Sequence, residues 1–416
     1  MKLDRKALAL DAACSFDFPA RKLLMCAVTG TNGKTTSTFI LESILKAWGK
    51  KVALLGTIEN RFEDFVEPAT LTTLDPIALH KLLNFFKKNG ADAVAMEVSS
   101  HAIDQDRTFG IPFKAALFTN LTQDHLDYHK SMEVYFQVKS KFFLEYSIGL
   151  RVIHKEDPYG EKLIKLCKQK SFEVITFGKE NANINYKELD CSATGIAGRV
   201  QVDWNNQIYQ IPIVSSLLGE FNVQNITGCV AVALGLGVPP EKIVLGVQNM
   251  DCVPGRMEII PNQKNFTVVV DYAHTPDALE KALSALKKTC KKRLFSVFGC
   301  GGNRDTTKRP LMGAVTEKIC DHVFITSDNP REEDPQKIIE DILKGCSNLQ
   351  KITVVLDRKE AISKALSSLD AGDTLLIAGK GHENYQIWGQ TKLPFDDRKV
   401  ALEYLQRICR SKSETI

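Results

Sequence analysis

Residues 23–36 read LLMCAVTGTNGKTT, an apolar run that leads directly into a glycine-rich turn. The first six residues predict a buried strand, and residues 34–48 have the apolar periodicity of a helix that stops at Gly49. A glycine-rich loop between a strand and a helix points backbone amides and the positive end of the helix at phosphate oxygens. The stretch therefore predicts an α/β fold whose first strand leads into a phosphate-binding loop.

The chemistry of this loop depends on its lysine and its threonines. Lys34 can reach the β- and γ-phosphates of a nucleotide, and Thr35 can ligate Mg²⁺. The usual P-loop pattern has glycine where this chain has Val28, so we predict a variant P-loop rather than the loop of a motor protein or GTPase. A tight glycine turn without a ligand is the alternative. The predicted nucleotide-binding residues of the loop are Gly30, Thr31, Asn32, Gly33, Lys34, Thr35 and Thr36.

Apolar runs alternate with amphipathic segments along most of the chain, which is typical of parallel βαβ units. Residues 182–213 differ, because polar and apolar residues alternate around the hairpin signal Asn205-Asn206. We therefore expect an α/β protein with a P-loop central ATPase domain, whose mostly parallel sheet has a small antiparallel insert, followed by a Rossmann-like α/β domain. The predicted segments are a linker at residues 1–26, the ATP-binding domain at 27–254 and the C-terminal domain at 255–416.

Composition excludes several classes of protein. The chain has 416 residues, of which 44% are hydrophobic and 25% are charged, as in ordinary globular proteins. The formal net charge is only +4, too small over this length to indicate a nucleic-acid or membrane-surface partner. The 11 cysteines occur singly without a CxxC pair, which fits a reducing cytoplasm and not a disulfide framework or zinc ribbon. No apolar run reaches the length of a membrane span, and no signal peptide is evident.

The loop GTNGKTT resembles the ATP loop of the Mur ligases, which form the amide bonds of peptidoglycan precursors, and folylpolyglutamate synthase shares much of it. The resemblance extends along nearly the whole chain. Two late motifs, DNPR at residues 328–331 and GKGHE at 379–383, are similar to those of the family members that add diaminopimelate as the third residue of the stem peptide. The other matching motifs are TT at 72–73, MEVSSH at 96–101, TNL at 119–121, DHLD at 124–127, GEFNV at 219–223, PGRME at 254–258 and DYAHTP at 271–276.

The resemblance implies three further groups near the phosphates. Glu97 ends an apolar strand and its carboxylate suits Mg²⁺, with a solvated strand-end charge as the alternative. His125 serves a second Mg²⁺ in the family, with a core histidine or a zinc pair with His129 as the alternatives. Lys139 matches the family lysine that CO₂ carbamylates, although from the residues alone it is a surface lysine like Lys141. The implied catalytic set is Lys34, Glu97, His125 and Lys139, and the implied metal ligands are Thr35, Glu97 and His125.

The family match also implies residues that bind the precursor and the nucleotide. Hydroxyl groups and an arginine suit a phosphorylated, carboxylated substrate, and ordinary loop polarity is the alternative for each of them. Asn222 and Asn225 match ATP-binding positions at a helix start, where simple capping is the alternative. The implied precursor residues are Thr72, Thr73, Ser99, Gln105 and Arg107.

For the amino acid substrate, two arginines can form forked ion pairs with the distal carboxylate of meso-diaminopimelate, which lysine lacks. Asp328 and Glu383 can accept hydrogen bonds from its distal ammonium group. As a bare motif, Asp-Asn-Pro-Arg is an ordinary turn. Lys308 and Arg309 are predicted to be solvent-exposed charges at a helix start. The implied substrate residues are Arg304, Asp328, Asn329, Arg331, Gly379 and Glu383.

The resemblance as a whole implies an ATP-dependent amide ligase of peptidoglycan precursor synthesis that works through an acyl phosphate. Its expected ligands are ATP, Mg²⁺, UDP-N-acetylmuramoyl-L-alanyl-D-glutamate and meso-diaminopimelate, and we expect a cytoplasmic monomer. Folylpolyglutamate synthase activity is one alternative. A non-catalytic regulator that binds the nucleotide or the precursor is the other.

The family carries a uridine-binding domain ahead of the ATP loop, whereas about 28 residues precede the loop here. The first ten residues resemble a helix already in progress at Met1, so we expect a start encoded further upstream, with a shortened ligase as the alternative. Remote contacts help to hold the reacting end of a substrate. We therefore expect this chain to bind the UDP-linked precursor weakly.

Overall fold

The computed structural model describes residues 4–192 and 194–410, with the side chains of 408–410 left aside. These residues form two compact units that divide between Asp251 and Cys252. No helix within the described ranges is long and apolar enough to cross a membrane. The predicted α/β fold is confirmed in both units.

The first unit is built on one large sheet with helices along the chain between its strands. Over the described part of this unit, strands β1–β11 are Leu24–Thr29, Val52–Leu55, Glu59–Phe62, Phe65–Pro68, Ala93–Glu97, Phe113–Phe118, Ile148–His154, Val174–Gly178, Ile184–Ser192, Gly195–Trp204 and Gln207–Ser215. Helices α1–α9 are Arg5–Ser15, Lys34–Ala47, Pro76–Lys88, Ser100–Asp104, Leu126–His129, Met132–Glu145, Pro158–Gln169, Glu220–Gly235 and Pro240–Gln248.

The order of the strands places the glycine-rich loop at the centre of this sheet. The order is β11-β10-β9-β8-β7-β6-β1-β5-β2-β3-β4, and β1 pairs in parallel with β5 on one side and β6 on the other. Ligands of open parallel sheets bind at the carboxyl ends of the strands, where the strand order reverses. The loop after β1 lies at that reversal point, and the ends of β5 and β6 lie next to it.

The predicted antiparallel insert is confirmed, and its strands extend the main sheet at one edge. β9 pairs in parallel with β8, and β10 and β11 then follow as antiparallel strands. Trp204 pairs with Gln207, and the turn residues Asn205 and Asn206 both have left-handed φ angles of 53° and 59°. This is the two-residue turn that asparagine pairs favour, so the predicted hairpin is confirmed.

The first helix begins later than the sequence suggested. α1 starts at Arg5, and the side chain of Asp4 accepts hydrogen bonds from the amides of Lys6 and Ala7. An aspartate in this position caps a helix N-terminus. The helix expected to be in progress at Met1 is therefore a capped helix that starts at residue 5, and residues 1–3 lie outside the described residues.

The second unit has a smaller sheet in which parallel strands dominate. In the described part of this unit, strands β12–β19 are Glu258–Ile259, Thr267–Asp271, Leu294–Phe298, His322–Ile325, Ile352–Val354, Thr374–Ala378, Tyr385–Trp388 and Thr391–Pro394. The order of the sheet in these described residues is β12-β13-β17-β14-β15-β16, with only the edge strand β12 antiparallel to its neighbour. Helices α10–α14 are Pro276–Thr289, Lys308–Ile319, Pro335–Leu343, Arg358–Ser367 and Asp397–Arg410.

Candidate active site

The glycine-rich loop packs too closely against its neighbours to carry side chains at two positions. A Cβ atom on Gly30 would lie 1.9 Å from Thr119 Oγ1, and one on Gly33 would lie 2.3 Å from Asn225 Oδ1. Gly33 also has a left-handed φ of 86° and directly precedes α2. The two glycines thus let the loop lie against the end of β6 and against α8.

Residues after β6 hold the loop in place. Asn120 Oδ1 accepts from the Asn32 amide at 2.9 Å, and Asn120 Nδ2 donates to the Asn32 carbonyl at 3.2 Å. Thr119 Oγ1 donates to the same carbonyl at 2.7 Å, and the Thr122 amide donates to Thr31 Oγ1 at 3.0 Å. The TNL motif therefore shapes the phosphate loop, although the sequence did not single out these residues as part of the site.

Lys34 lies over the loop that precedes it. Its Nζ donates to the carbonyl oxygens of Gly30 at 3.0 Å and Thr31 at 2.8 Å. Thr35 and Thr36 are buried in the first turn of α2 behind it. The ammonium group is thus held among the atoms where a phosphate chain bound to the loop would lie.

Glu97 is buried and tied to Thr57, so the alternative of a solvated strand-end charge is wrong. The carboxylate is only 1% exposed. Its Oε1 accepts from the Thr57 amide at 2.8 Å, and its Oε2 accepts from Thr57 Oγ1 at 3.0 Å. Each carboxylate oxygen has a second lone pair, so both can still reach another ligand. Sequence reasoning missed Thr57, which follows β2 with no motif of its own.

The implied precursor residues come together around Glu97. Thr73 Oγ1 donates to the Glu97 carbonyl at 2.9 Å and accepts from the Ser99 amide at 3.0 Å. Arg107 donates from Nη1 to the Thr73 carbonyl at 2.7 Å and from Nε to Gln105 Oε1 at 2.9 Å. Thr72 joins the same network because its hydroxyl lies at hydrogen-bond distance, 3.1 Å, from Thr57 Oγ1. One hydrogen-bonded network therefore links all five positions to Glu97. Thr72 reaches its carboxylate through Thr57, and the other four reach its main-chain carbonyl through Thr73.

Lys139 is a buried residue, so its interpretation as a surface lysine is wrong. It is 1% exposed, and its Nζ donates to the Gly30 carbonyl at 3.0 Å and to Thr29 Oγ1 at 3.2 Å. Burial, with the nearby Lys34 cation as a second cause, holds the pKa of Lys139 well below its usual value. Lys141 is partly exposed and forms an ion pair with Asp106 at 2.7 Å.

The two histidines of the DHLD segment have different surroundings. The imidazole of His129 is buried, hydrogen-bonded to Ser100 Oγ at 2.9 Å, and stacked on Tyr135 with ring centroids 4.7 Å apart. His125 precedes α5 in a left-handed conformation with φ 54°, and burial lowers its pKa to about 4. His125 is only half-buried, so the core-histidine alternative is wrong for it, and the buried histidine of this segment is His129. His125 is neutral at physiological pH, the form in which imidazole binds a metal.

The donor set suits a metal that is shared with phosphate oxygens. Among the described residues, no three His, Cys, Asp or Glu side chains converge as a metal site. Mg²⁺ commonly takes only one or two carboxylates and completes its octahedron with water and substrate phosphates. The carboxylate of Glu97 and the hydroxyl of Thr35 in the first turn of α2 are donors of that kind.

The two asparagines of α8 are not helix caps. Gly219 occupies the N-cap position without a side-chain cap, whereas Asn222 Nδ2 donates to the Leu218 carbonyl at 2.7 Å. Asn225 Nδ2 donates to Asn222 Oδ1 at 2.8 Å, and its own Oδ1 faces Gly33. The capping alternative is therefore wrong, and this asparagine pair supports the glycine-rich loop.

In the second unit, the DNPR and GKGHE motifs share one hydrogen-bonded cluster. The buried Lys380 Nζ donates to Asn329 Oδ1 at 3.1 Å and to Glu383 Oε2 at 3.0 Å. Asn329 Nδ2 donates to the same Glu383 oxygen at 2.9 Å. A Cβ atom on Gly379 would lie 2.8 Å from Asp328 Oδ2, so those two residues are also neighbours. Sequence reasoning did not single out Lys380.

The two implied substrate arginines flank Gly301. A Cβ atom at that glycine would lie 3.0 Å from Arg331 Nη1 and 3.8 Å from Arg304 Cγ. Arg331 has a left-handed φ of 54°, and its backbone pairs with the β18–β19 hairpin through the Ile387 carbonyl at 3.0 Å. The structure thus places the side chains of both arginines beside the same glycine, an arrangement that suits recognition of a carboxylate.

The prediction that Arg309 is a solvent-exposed charge is wrong. Arg309 is 1% exposed and forms ion pairs with Glu333 and Asp341. Lys308 is half-buried and donates from Nζ to the His274 carbonyl at 2.8 Å. Both residues lie at the start of α11, a position that predicts exposure. The first turn of α11 instead packs against two loops and α12.

Comparison with known proteins identifies the family. Residues 28–233 match the Mur ligase middle domain, and residues 255–381 match the Mur ligase, glutamate ligase domain. Over 401 residues the chain is 43% identical to the UDP-N-acetylmuramoyl-L-alanyl-D-glutamate–2,6-diaminopimelate ligase of Aquifex aeolicus, covering 96% of this chain and 81% of that protein. The chain belongs to the Mur ligase family.

Further relatives agree with this assignment. A UDP-N-acetylmuramoyl-L-alanyl-D-glutamate–2,6-diaminopimelate ligase of Clostridium acetobutylicum is 42% identical over 407 residues, covering 97% of this chain and 82% of that protein. A solved structure of a ligase with the same name has 32% identity and a TM-score of 0.69, covering 97% of this chain and 83% of that one. Folylpolyglutamate synthase of Mycobacterium tuberculosis has a TM-score of 0.74 at 17% identity, covering 90% of this chain and 92% of that one, and so shares the fold alone.

Proposed function

We propose that this Mur ligase joins meso-diaminopimelate to UDP-N-acetylmuramoyl-L-alanyl-D-glutamate with cleavage of ATP. The proposal rests above all on the two arginines that flank Gly301, because they suit a substrate with a distal carboxylate. The names of the 43% and 42% identical relatives support it. A cytoplasmic setting and a monomeric state stay predictions.

In the proposed reaction, a carboxylate oxygen of the precursor's D-glutamate attacks the γ-phosphorus of ATP. An acyl phosphate forms and ADP leaves. The amine of diaminopimelate then attacks the acyl carbon, inorganic phosphate leaves with the C–O bond electrons, and the amine loses a proton to give the amide. Lys34 offsets the negative charge on the phosphoryl oxygens, and the network from Thr72 to Arg107 holds the precursor.

The residues around the loop would also hold Mg²⁺. Thr35 and Glu97 would bind one ion together with phosphate oxygens and water, and His125 would bind a second. The ions would supply positive charge that offsets the charge of the phosphates. Thr57 orients Glu97 through two hydrogen bonds, so the carboxylate stays in one rotamer.

Lys139 has the properties that formation of a carbamate requires. The neutral amine is the reactive form, and burial favours that form by lowering the pKa of the lysine. Its nitrogen attacks the carbon of CO₂, an N–C bond forms and one proton is released, which leaves an anion. A buried anion beside Lys34 would be paired with that cation, whereas two buried ammonium groups repel each other.

We predict that Lys139→Ala lowers ligase activity roughly tenfold to hundredfold, as loss of a supporting group at a metal site does. Lys141→Ala, two residues along the same helix, should retain near-normal activity because Lys141 forms an ion pair on the other side, with Asp106. Phosphate release measures the activity, and intact mass under excess bicarbonate measures the carbamate. Full activity of Lys139→Ala, or a free amine at residue 139 in crystals of the active enzyme, contradicts this role.

The substrate assignment can be tested with one coupled phosphate-release assay. The enzyme receives ATP and the UDP-linked dipeptide precursor with meso-diaminopimelate, the same precursor with L-lysine, or folate with glutamate. We expect release mainly with meso-diaminopimelate. Release only with folate and glutamate would assign the chain to the folylpolyglutamate synthase reaction, and nucleotide binding without release from any mixture would indicate a non-catalytic regulator.

Arg331→Ala should raise the KM for meso-diaminopimelate while leaving the KM for ATP almost unchanged. Loss of one charged contact to the distal carboxylate costs about 2 kcal/mol, or roughly 30-fold, the low end of the range because Arg331 is half-buried. Arg407→Ala, an exposed arginine of the same unit, is the matched control. Equal turnover of L-lysine and meso-diaminopimelate by the unmodified enzyme contradicts the proposed role of Arg331.

A further inference from the structure

Arg309 is a buried cation that bridges a loop and a helix of the second unit. Its Nη2 donates to both carboxylate oxygens of Glu333, at 2.9 and 2.8 Å, and its Nη1 donates to Asp341 Oδ2 at 3.0 Å. Glu333 lies in the loop after β15, and Asp341 lies on α12. Burying a guanidinium group is costly unless its partners are well placed, so this arrangement fixes the position of Glu333 relative to two helices.

The same pair reaches the loop after β14. Glu333 Oε1 also accepts a hydrogen bond from the amide of Asn303. Arg309 Nη2 lies 3.4 Å from the Gly301 carbonyl, and the Glu332 amide donates to Asn303 Oδ1 at 3.1 Å. Arg309 and Glu333 therefore hold the loop that carries Arg304 against the loop that carries Arg331.

The two loops also contact each other directly, and they lie too close together for a side chain at Gly302. The Gly302 amide donates to the Asn329 carbonyl at 2.9 Å, and Arg331 Nη1 donates to the Gly302 carbonyl at 2.7 Å. A Cβ atom on Gly302 would lie 1.9 Å from the Pro330 carbonyl oxygen. The spacing of the loops sets where the Arg331 guanidinium points, because one of its own nitrogens bonds to the facing loop.

We infer that the Arg309–Glu333 ion pair is a clamp that sets the spacing of Arg304 and Arg331, and so determines selectivity for an amino acid with a distal carboxylate. The inference deepens the proposed function and rests on it. Arg309 and Glu333 are positioning residues here, because they act through the two arginines. Forked recognition of a carboxylate needs both guanidinium groups in one geometry, and a displacement of about 1 Å can cost a large factor in rate or affinity.

The two carboxylates on Arg309 allow this role to be separated from simple stabilisation. Glu333 is on the loop side of the guanidinium, whereas Asp341 is on the α12 side and also pairs with Lys344. Glu333→Gln and Asp341→Asn remove the same charge from the same buried cation. Only the first weakens the link between the two loops.

The test compares both variants with the unmodified chain. Steady-state phosphate release gives KM and kcat for meso-diaminopimelate, L-lysine and ATP. Calorimetric titration with meso-diaminopimelate tests the clamp even where no product forms, and thermal melting checks the fold. Arg309→Lys, which keeps a charge but loses the fork, is a third variant in case Glu333→Gln does not fold.

We expect Glu333→Gln to raise the KM and Kd for meso-diaminopimelate at least about tenfold, with less than about a twofold change in the KM for ATP. In Glu333→Gln the ratio of diaminopimelate turnover to lysine turnover should fall as well. In Asp341→Asn the KM and Kd for meso-diaminopimelate and this ratio should stay near normal. Similar behaviour of the two variants, or unchanged diaminopimelate binding in Glu333→Gln and Arg309→Lys, overturns the clamp. The proposed function fails separately, if the unmodified chain makes no product from meso-diaminopimelate.

Discussion

Lys34→Ala should lower ATP turnover by roughly 10²–10³-fold or more, the usual effect of removing one preorganised charge-stabilising donor. The lysine Nζ is held by the carbonyls of Gly30 and Thr31, at the centre of the loop. An alanine leaves the loop backbone intact because Asn120, Thr119 and Asn225 still support it from outside. The loss should therefore appear in turnover and not in the fold.

Lys46→Ala is the matched control for this experiment, since Lys46 lies near the other end of the same helix, where its half-exposed ammonium pairs with the buried Glu42. Turnover should not change, because the Glu42 carboxylate keeps its ion pair with Arg61. ATP-dependent phosphate release is measured for both variants, with thermal melting as a check on folding. Near-normal release by Lys34→Ala would exclude the P-loop assignment.

Elements with local signals were predictable from the sequence. The helix Pro76–Lys88 begins where Asp75 caps it and Pro76 occupies its first turn, and Asn205-Asn206 makes its hairpin turn. These signals lie within a few residues of the element that they start or end. The attachment of β9 to β8 depends on pairing along the sheet edge, so the continuous sheet could not be read from residues 182–213.

The site shows the same division between local and non-local information. Lys34 and its glycines stand in one short motif, so the sequence predicts their place at the strand–helix junction. Burial of Lys139 depends on α6 packing over the end of β1, more than a hundred residues earlier in the chain. The predicted exposure of Arg309 is wrong for the same reason. Its partners Glu333 and Asp341 lie on a loop and a helix that the sequence around Arg309 does not indicate.

Asp397→Ala should destabilise the second unit by about 3–5 kcal/mol, the usual cost of leaving a buried charge without its partner. The side chains of Arg358 and Asp397 are both 0% exposed and form a two-pronged ion pair, with Nε–Oδ1 at 2.8 Å and Nη2–Oδ2 at 2.7 Å. Arg358 Nη2 also donates to the Ala378 carbonyl at 2.8 Å. The pair therefore supports the end of β17, directly before Gly379.

Glu360→Ala is the control for the loss of a carboxylate, because Glu360 pairs with Lys364 on the exposed face of α13. Its loss should lower the free energy of unfolding by less than about 1 kcal/mol. Hydrogen exchange measured by mass spectrometry reads the two units separately, and Asp397→Ala should lose protection in β15 and β17 but not in β1.

The double variant Arg358→Met/Asp397→Leu removes both charges and should recover most of the loss. Recovery should be incomplete, because the Ala378 carbonyl then lacks its donor. Two outcomes would show that the buried pair does not stabilise this part of the site. One is a loss of unfolding free energy below about 1 kcal/mol in Asp397→Ala, and the other is a loss in Glu360→Ala as large as that in Asp397→Ala.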